Sequence, residues 1–94
     1  MIRHIVAFSA KDPGDIETIA TALRRLGEIP GVRDFRVARN GKRDALSSEM
    51  DVVLEATFDT WADLETYKAH PTYAETTEIV RPLREARTVL DYEI

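Results

Sequence analysis

The segment 61–73 carries most of the residue types in this chain that could do chemistry on a small molecule. It holds the only tryptophan, Trp61, one of the two histidines, His70, and two of the three tyrosines, Tyr67 and Tyr73. The other histidine, His4, lies in the apolar run at the start of the chain. Neutral imidazole accepts protons near pH 7, and a phenol donates a hydrogen bond to developing negative charge. We therefore take His4, Tyr67 and His70 as candidate catalytic residues.

Each of these residues also has a purely structural interpretation. His4 would share a strand face with Val6 and Phe8, which also fits a core histidine bonded to a helix residue. His70 precedes a proline and could cap a restarted helix. Buried tyrosine and tryptophan side chains generally fill space and satisfy one polar atom, so Trp61 also fits a core or interface anchor.

Several classes of functional site lack their sequence signatures. The chain has no cysteine, and its two histidines do not form a metal-binding spacing. There is no acyl-transfer motif around a serine or threonine and no glycine-rich phosphate loop. The sequence therefore predicts no metal site, and any enzyme activity is expected to be cofactor-free.

Composition narrows the expected partners and location. The net charge of −4, with 44% hydrophobic and 32% charged residues, fits one small globular domain and argues against nucleic-acid or anionic-membrane binding. The apolar run at the start is too short to span a membrane or to form a signal-peptide core, so we expect a cytoplasmic protein.

A local basic run could bind RNA, but its strand neighbours supply no outward aromatics, which favours a solvated edge strand. That run consists of Arg33, Arg36, Arg39, Lys42 and Arg43.

Hydrophobic periodicity predicts four strands and two helical regions in the order βαββαβ, a two-layer α+β sandwich in one domain, 1–94. The predicted strands cover 2–9, 32–39, 49–58 and 86–94. The first helix is expected between Asp12 and Gly27, and the second begins at Thr60, breaks at Pro71 and ends before Pro82. Alternation assigns two faces to the sheet, one under the helices and one open. The open face is expected to carry Arg3, Ile5, Asp34, Arg36, Asp51, Val53, Glu55, Arg87, Val89, Asp91 and Glu93.

Several short motifs, in order along almost the whole chain, resemble one known family. They are 2–8 (IRHIVAF), 29–32 (IPGV), 57–59 (TFD), 67–71 (YKAHP) and 91–92 (DY). The chain is similar to the stress-responsive A/B barrel domain family, which includes stress-induced plant proteins and polyketide cyclases. The resemblance implies a ferredoxin-like protomer and a homodimer whose two sheets close into one α+β barrel.

The polyketide cyclases of this family imply a pocket between sheet and helices. Their first-strand histidine and the tyrosine before His-Pro correspond to His4 and Tyr67. Their general base, a second histidine just after His-Pro, is replaced by Tyr73, a phenol that stays protonated near pH 7. A polar position on their third strand is replaced by Val52.

The leading hypothesis is a homodimer that binds a small apolar or aromatic molecule between sheet and helices. The residues expected to contact the ligand are Phe8, Val52, Leu54, Trp61 and Tyr73. Two alternatives remain open: a cofactor-free cyclase, lyase or isomerase, with His4 or His70 as base and Tyr67 as hydroxyl donor, and a non-catalytic stress or scaffold protein with a filled core.

Overall fold

A computed structural model describes residues 1–94, and in it one antiparallel sheet is covered on one face by helices. The strands are β1 (Ile2–Ala10), β2 (Arg33–Arg39), β3 (Val52–Phe58) and β4 (Arg84–Glu93), and the helices are α1 (Ile16–Arg24), α2 (Trp61–Ala69) and α3 (Pro71–Val80). Short 3₁₀ turns, Pro13–Asp15 and Arg25–Glu28, flank α1. The order βαββαβ is confirmed, with the second helical region split in two, and the fold is ferredoxin-like. No helix has the length and apolar character needed to cross a bilayer.

β1 lies at the centre of the sheet, whose strand order is β2-β3-β1-β4. Its register places Val6 opposite Leu54 of β3 and opposite Val89 of β4. Residues directly opposite one another share a sheet face, so these three side chains lie together beneath the helices. β1 and β3 therefore supply the floor of the core.

The helices begin where side chains can satisfy their free amide groups. Asp12 caps the 3₁₀ turn that leads into α1, where it accepts a hydrogen bond from the Gly14 amide at 2.8 Å, and Thr60 caps α2 by accepting one from the Asp63 amide at 3.2 Å. The break between α2 and α3 occurs at the predicted proline, Pro71, which occupies the first position of α3. The α1 region ends as a 3₁₀ turn around Gly27.

The predicted orientation of β4 was wrong. His4 lies opposite Asp91 in the register and hydrogen-bonds to it, so Asp91, Val89 and Arg87 belong to the face under the helices. Leu90 and Tyr92 lie instead on the open face, with 60% and 45% of their surface exposed. Alternation was ambiguous here because one set of alternate residues in β4 includes large apolar side chains and the other set mixes apolar and charged side chains.

Asp51 was also assigned to the open face, but it is a buried residue before β3 begins. Its carboxylate accepts from the Ala10 amide at 2.8 Å and pairs with Lys42. Burial alone would raise the pKa of Asp51, but the bonds from Lys42 and Ala10 outweigh it and hold the pKa below its ordinary value. Asp51 thus ties the end of β1 to the long loop before β3.

Gly27 is required where the turn after α1 passes β2. A Cβ added there would lie 2.6 Å from Cδ1 of the Phe35 ring. We expect Gly27→Ala to lower the free energy of unfolding by about 1–3 kcal/mol, because the ring must move from its packed position. Chemical denaturation measures this, with Gly41→Ala as the control, since the nearest atom to its added Cβ is 3.7 Å away. Equal stability of the two variants would contradict the prediction.

Candidate functional site

A cavity of about 220 Å³ lies between the helix-covered sheet face and the helices. Its floor includes His4 and Phe8 of β1 and Leu54 of β3, and its roof includes Tyr67 of α2 and Tyr73 of α3. The floor and roof are mainly apolar, and the few polar groups within them are therefore the ones able to orient a ligand.

His4, in the floor of the cavity, is hydrogen-bonded to Asp91, the residue opposite it on β4. The His4 Nδ1 lies 2.5 Å from the Asp91 Oδ1, and the imidazole is almost fully buried. Burial lowers the pKa of His4 below its ordinary value, although the hydrogen bond and the negative charge of Asp91 act in the opposite direction. A neutral imidazole that donates from Nδ1 to Asp91 has its lone pair on Nε2, the arrangement of an oriented general base.

Two hydroxyl groups in the lining of the cavity have no hydrogen-bond partner in the protein. They belong to Tyr67 and Thr76, which both line the cavity and are both buried. The Tyr67 ring packs edge-on against His4, with ring centroids 5.9 Å apart. Burial, and secondarily Tyr73, raises the pKa of Tyr67 above its ordinary value, so its hydroxyl remains a hydrogen-bond donor. Buried polar groups without partners are uncommon and costly, which points to a ligand or water as their partner.

Five of the eight residues proposed from the sequence line this cavity. They are His4, Phe8, Leu54, Tyr67 and Tyr73. The hydrogen bond of His4 goes to β4 rather than to a helix residue.

The other three proposed residues lie outside the cavity. His70 caps α3, where its Nδ1 accepts from the Thr72 amide at 3.1 Å, as its structural interpretation predicted. Val52 is buried in the core cluster but does not line the cavity. Trp61 is not a core residue, because it lies in the first turn of α2 beside the end of the edge strand β4. There it is 46% exposed and donates to Glu93 at 3.0 Å.

Sequence reasoning missed several polar residues of the site. Asp91 was assigned to the wrong face, and Thr76 had no distinguishing pattern in a polar helix. Three arginines, Arg81, Arg84 and Arg87, line the cavity near its exposed edge. Their spacing of three along the end of α3 and the start of β4 is the signal that could have identified them. No group of three or more histidine, cysteine or acidic side chains has the geometry to hold a metal ion.

The fold and the cavity define a ferredoxin-like α+β domain with a small site between sheet and helices, lined by apolar residues and a few polar groups. The sequence profile of the stress-responsive A/B barrel domain matches residues 2–94, and the chain belongs to this family. Both expectations drawn from the sequence motifs, the family and the ferredoxin-like fold, are confirmed.

Solved structures of similar proteins share this fold over nearly the whole chain. A dimeric ferredoxin-like protein of unknown function from Thermobifida fusca is 25% identical, with 99% of this chain and 90% of that chain covered and a TM-score of 0.84. A dimeric ferredoxin-like protein of unknown function from Jannaschia is 26% identical, with coverage of 99% and 98% and a TM-score of 0.82. Hydroxynitrile lyase from Passiflora edulis is 23% identical, with coverage of 99% and 92% and a TM-score of 0.82. No curated protein matches this chain.

The lowered pKa of His4 predicts a specific dependence of stability on pH. The folded state holds His4 neutral more strongly than the unfolded chain, so unfolding takes up a proton below the ordinary pKa of 6.5. We expect the free energy of unfolding to fall as the pH drops from about 7.5 to about 5. Urea denaturation across this range measures the slope.

Two variants separate His4 from other titrating groups. His4→Gln is expected to flatten the slope over this pH range, whereas His70→Asn, which preserves a capping side chain, is expected to retain it. An unchanged slope in His4→Gln would show that the stability change originates elsewhere.

Proposed function

We propose that this protein binds a small molecule with an apolar or aromatic body in the cavity between sheet and helices. The observation that carries the proposal is the pair of unpartnered buried hydroxyls, Tyr67 and Thr76, in the lining of the cavity that also contains His4, the hydrogen-bond partner of Asp91. In a core that binds no ligand, apolar side chains normally fill such a space. A binding site instead keeps polar groups that hydrogen-bond to its ligand. The cavity volume of about 220 Å³ suits a molecule of about one ring.

We also propose that the functional form is a homodimer formed through the open sheet face. Leu90 and Tyr92 expose large apolar surfaces there, next to Ile5 on the neighbouring strand. Exposed apolar patches on small proteins commonly mark interaction surfaces. The similar proteins from Thermobifida fusca and Jannaschia are dimeric, which supports a second copy of this chain as the partner.

Ligand binding is tested by titrating the protein with small aromatic compounds while recording amide chemical shifts. Trp61 is a poor fluorescent reporter because it lies outside the cavity. Shifts concentrated at residues around Tyr67 and Thr76 support the proposal. If millimolar phenol, benzamide and benzoate all leave those residues unshifted, the cavity is not a binding site and the alternative of a non-catalytic scaffold gains support.

Tyr67→Phe is expected to stabilise the protein while weakening ligand binding. Removing a buried hydroxyl that has no partner relieves its desolvation cost, for a gain of about 1 kcal/mol in the free energy of unfolding. The same change removes a donor from the site. Thermal and urea denaturation measure the first effect, and the titration measures the second.

The control for this prediction is Tyr73→Phe. The Tyr73 hydroxyl accepts from Arg87 at 3.4 Å, so its removal is not expected to stabilise the protein. Lower stability of Tyr67→Phe would show that its hydroxyl is already satisfied in the free protein and is not reserved for a ligand.

A second candidate function, cofactor-independent acid–base catalysis, is favoured by the His4–Asp91 pair. Asp91 fixes the imidazole orientation, and the buried, neutral His4 can remove a proton from a bound substrate. The Tyr67 hydroxyl can donate to negative charge that develops on a substrate oxygen. Such a site serves a lyase, isomerase or cyclase, and the structural likeness to a hydroxynitrile lyase selects cyanohydrin cleavage as the first reaction to test.

A further inference from the structure

Three arginines at the cavity edge have no acidic partner. Arg81 follows α3, Arg84 begins β4, and Arg87 lies farther along β4 on the helix-covered face. No carboxylate oxygen lies within 4.0 Å of their guanidinium groups, although five other arginines form such pairs. The only side-chain hydrogen bond among the three is from Arg87 to the Tyr73 hydroxyl.

The concentration of positive charge is unusual for a chain whose net charge is −4. Partial burial, followed by the charges of Arg87 and Arg81, lowers the pKa of Arg84 below its ordinary value. The guanidinium groups therefore repel one another without compensation from a nearby carboxylate. Arg81 has a structural role, because a cation is favoured at the carboxyl end of a helix. Arg84 and Arg87 lie on a strand, where no helix dipole explains them.

We propose that the ligand of the cavity carries an anionic head group, a carboxylate or a phosphate, on its small apolar body. Arg84 and Arg87 bind the head group at the cavity edge, and the body lies inward against Tyr67. Guanidinium groups recognise both anions through paired hydrogen bonds, and a ligand charge there would relieve the repulsion among the arginines. This inference rests on the proposed ligand-binding function and narrows its ligand class.

The test compares matched probes with and without the charge. Benzoate and benzamide have nearly the same size, and phenyl phosphate supplies the other anion. Titration of the wild-type protein is expected to show about tenfold or greater preference for benzoate or phenyl phosphate over benzamide, and the preferred anion identifies the head group. The preference is expected to shrink at high salt.

The variant that tests the assignment is the double substitution Arg84→Gln with Arg87→Gln. We expect the ratio of anion to benzamide affinity to fall about tenfold. Arg43→Gln is the matched control, because Arg43 is an exposed loop residue without an ion pair and outside the cavity. It removes one positive charge, where the double variant removes two, and it is expected to preserve the ratio.

The outcomes separate this inference from the function on which it rests. Equal affinity of the wild-type protein for benzoate, phenyl phosphate and benzamide overturns the anionic ligand but leaves the binding cavity in place. An equal loss in the Arg43→Gln control also overturns it, because the preference then reflects overall charge. Binding of no probe overturns both proposals.

Discussion

Leu90→Glu is expected to convert the proposed dimer to monomers. Leu90 is 60% exposed on the open sheet face, and a second copy covering this face would bury it. Burial of a leucine side chain contributes about 1.5–3 kcal/mol, and a two-fold interface loses that contribution twice. The total of about 3–6 kcal/mol corresponds to a dissociation constant raised about 10²- to 10⁴-fold, before the cost of desolvating two carboxylates is added.

Sedimentation velocity over a dilution series measures this change. Leu46→Glu is the matched control, because it makes the same substitution at a leucine that is 92% exposed in the loop before β3. It is expected to leave the dimer intact. If the Leu90→Glu variant remains dimeric at the protein concentration where half of the wild-type protein has dissociated, the interface lies elsewhere. Wild-type protein that is monomeric at micromolar concentration would remove the proposed dimer altogether.

The fold was predictable because its strands and helices have regular hydrophobic periods and end at residues that typically interrupt them. β3 alternates buried and outward side chains, as Val52, Leu54 and Ala56 show, and α1 buries residues at helical spacing. The break at Pro71 follows from the missing amide and fixed φ of proline. These are local properties, so they can be inferred without knowledge of tertiary contacts.

The site was less predictable because it depends on which way one edge strand faces. A one-residue change in strand parity exchanges every side chain between the two faces. In β4 the larger apolar residues, Leu90 and Tyr92, were taken as core residues, and Asp91 was therefore assigned away from His4. The error has a physical origin: if the open face is also an interface, both faces of the sheet require apolar residues. Alternation alone cannot then distinguish the core from a subunit contact.

The same change of orientation explains why Asp91 was not predicted as the partner of His4. In the polyketide cyclases of the family the base is a second histidine after His-Pro, so Tyr73 at that position argued against their chemistry, and His4 or His70 remained as the candidate base. The structure instead provides Asp91 from the opposite strand, 2.5 Å from the His4 Nδ1. The His4 imidazole is therefore oriented by a carboxylate without that second histidine, through a long-range contact between the two ends of the chain.

If the site is catalytic, His4→Gln is expected to lower the rate of cyanohydrin cleavage about 10²- to 10⁴-fold. In this reaction the His4 Nε2 removes the hydroxyl proton, the carbonyl double bond forms, and the carbon–carbon bond to the nitrile breaks. The leaving cyanide takes the proton from the imidazolium, which gives an aldehyde and hydrogen cyanide. Glutamine retains an amide that can donate to Asp91 but offers no basic nitrogen. The absorbance of benzaldehyde, formed from its cyanohydrin, measures the rate.

His70→Asn tests whether the effect belongs to His4 or to any loss of imidazole. His70 lies outside the cavity and caps α3, and asparagine is also a favourable capping residue, so this variant is expected to retain the wild-type rate. A wild-type rate in His4→Gln would remove His4 as the base. Cleavage no faster than in buffer for the wild-type protein would remove the cyanohydrin lyase reaction, and it would leave isomerase or cyclase chemistry and ligand binding without chemistry as the remaining functions of the cavity.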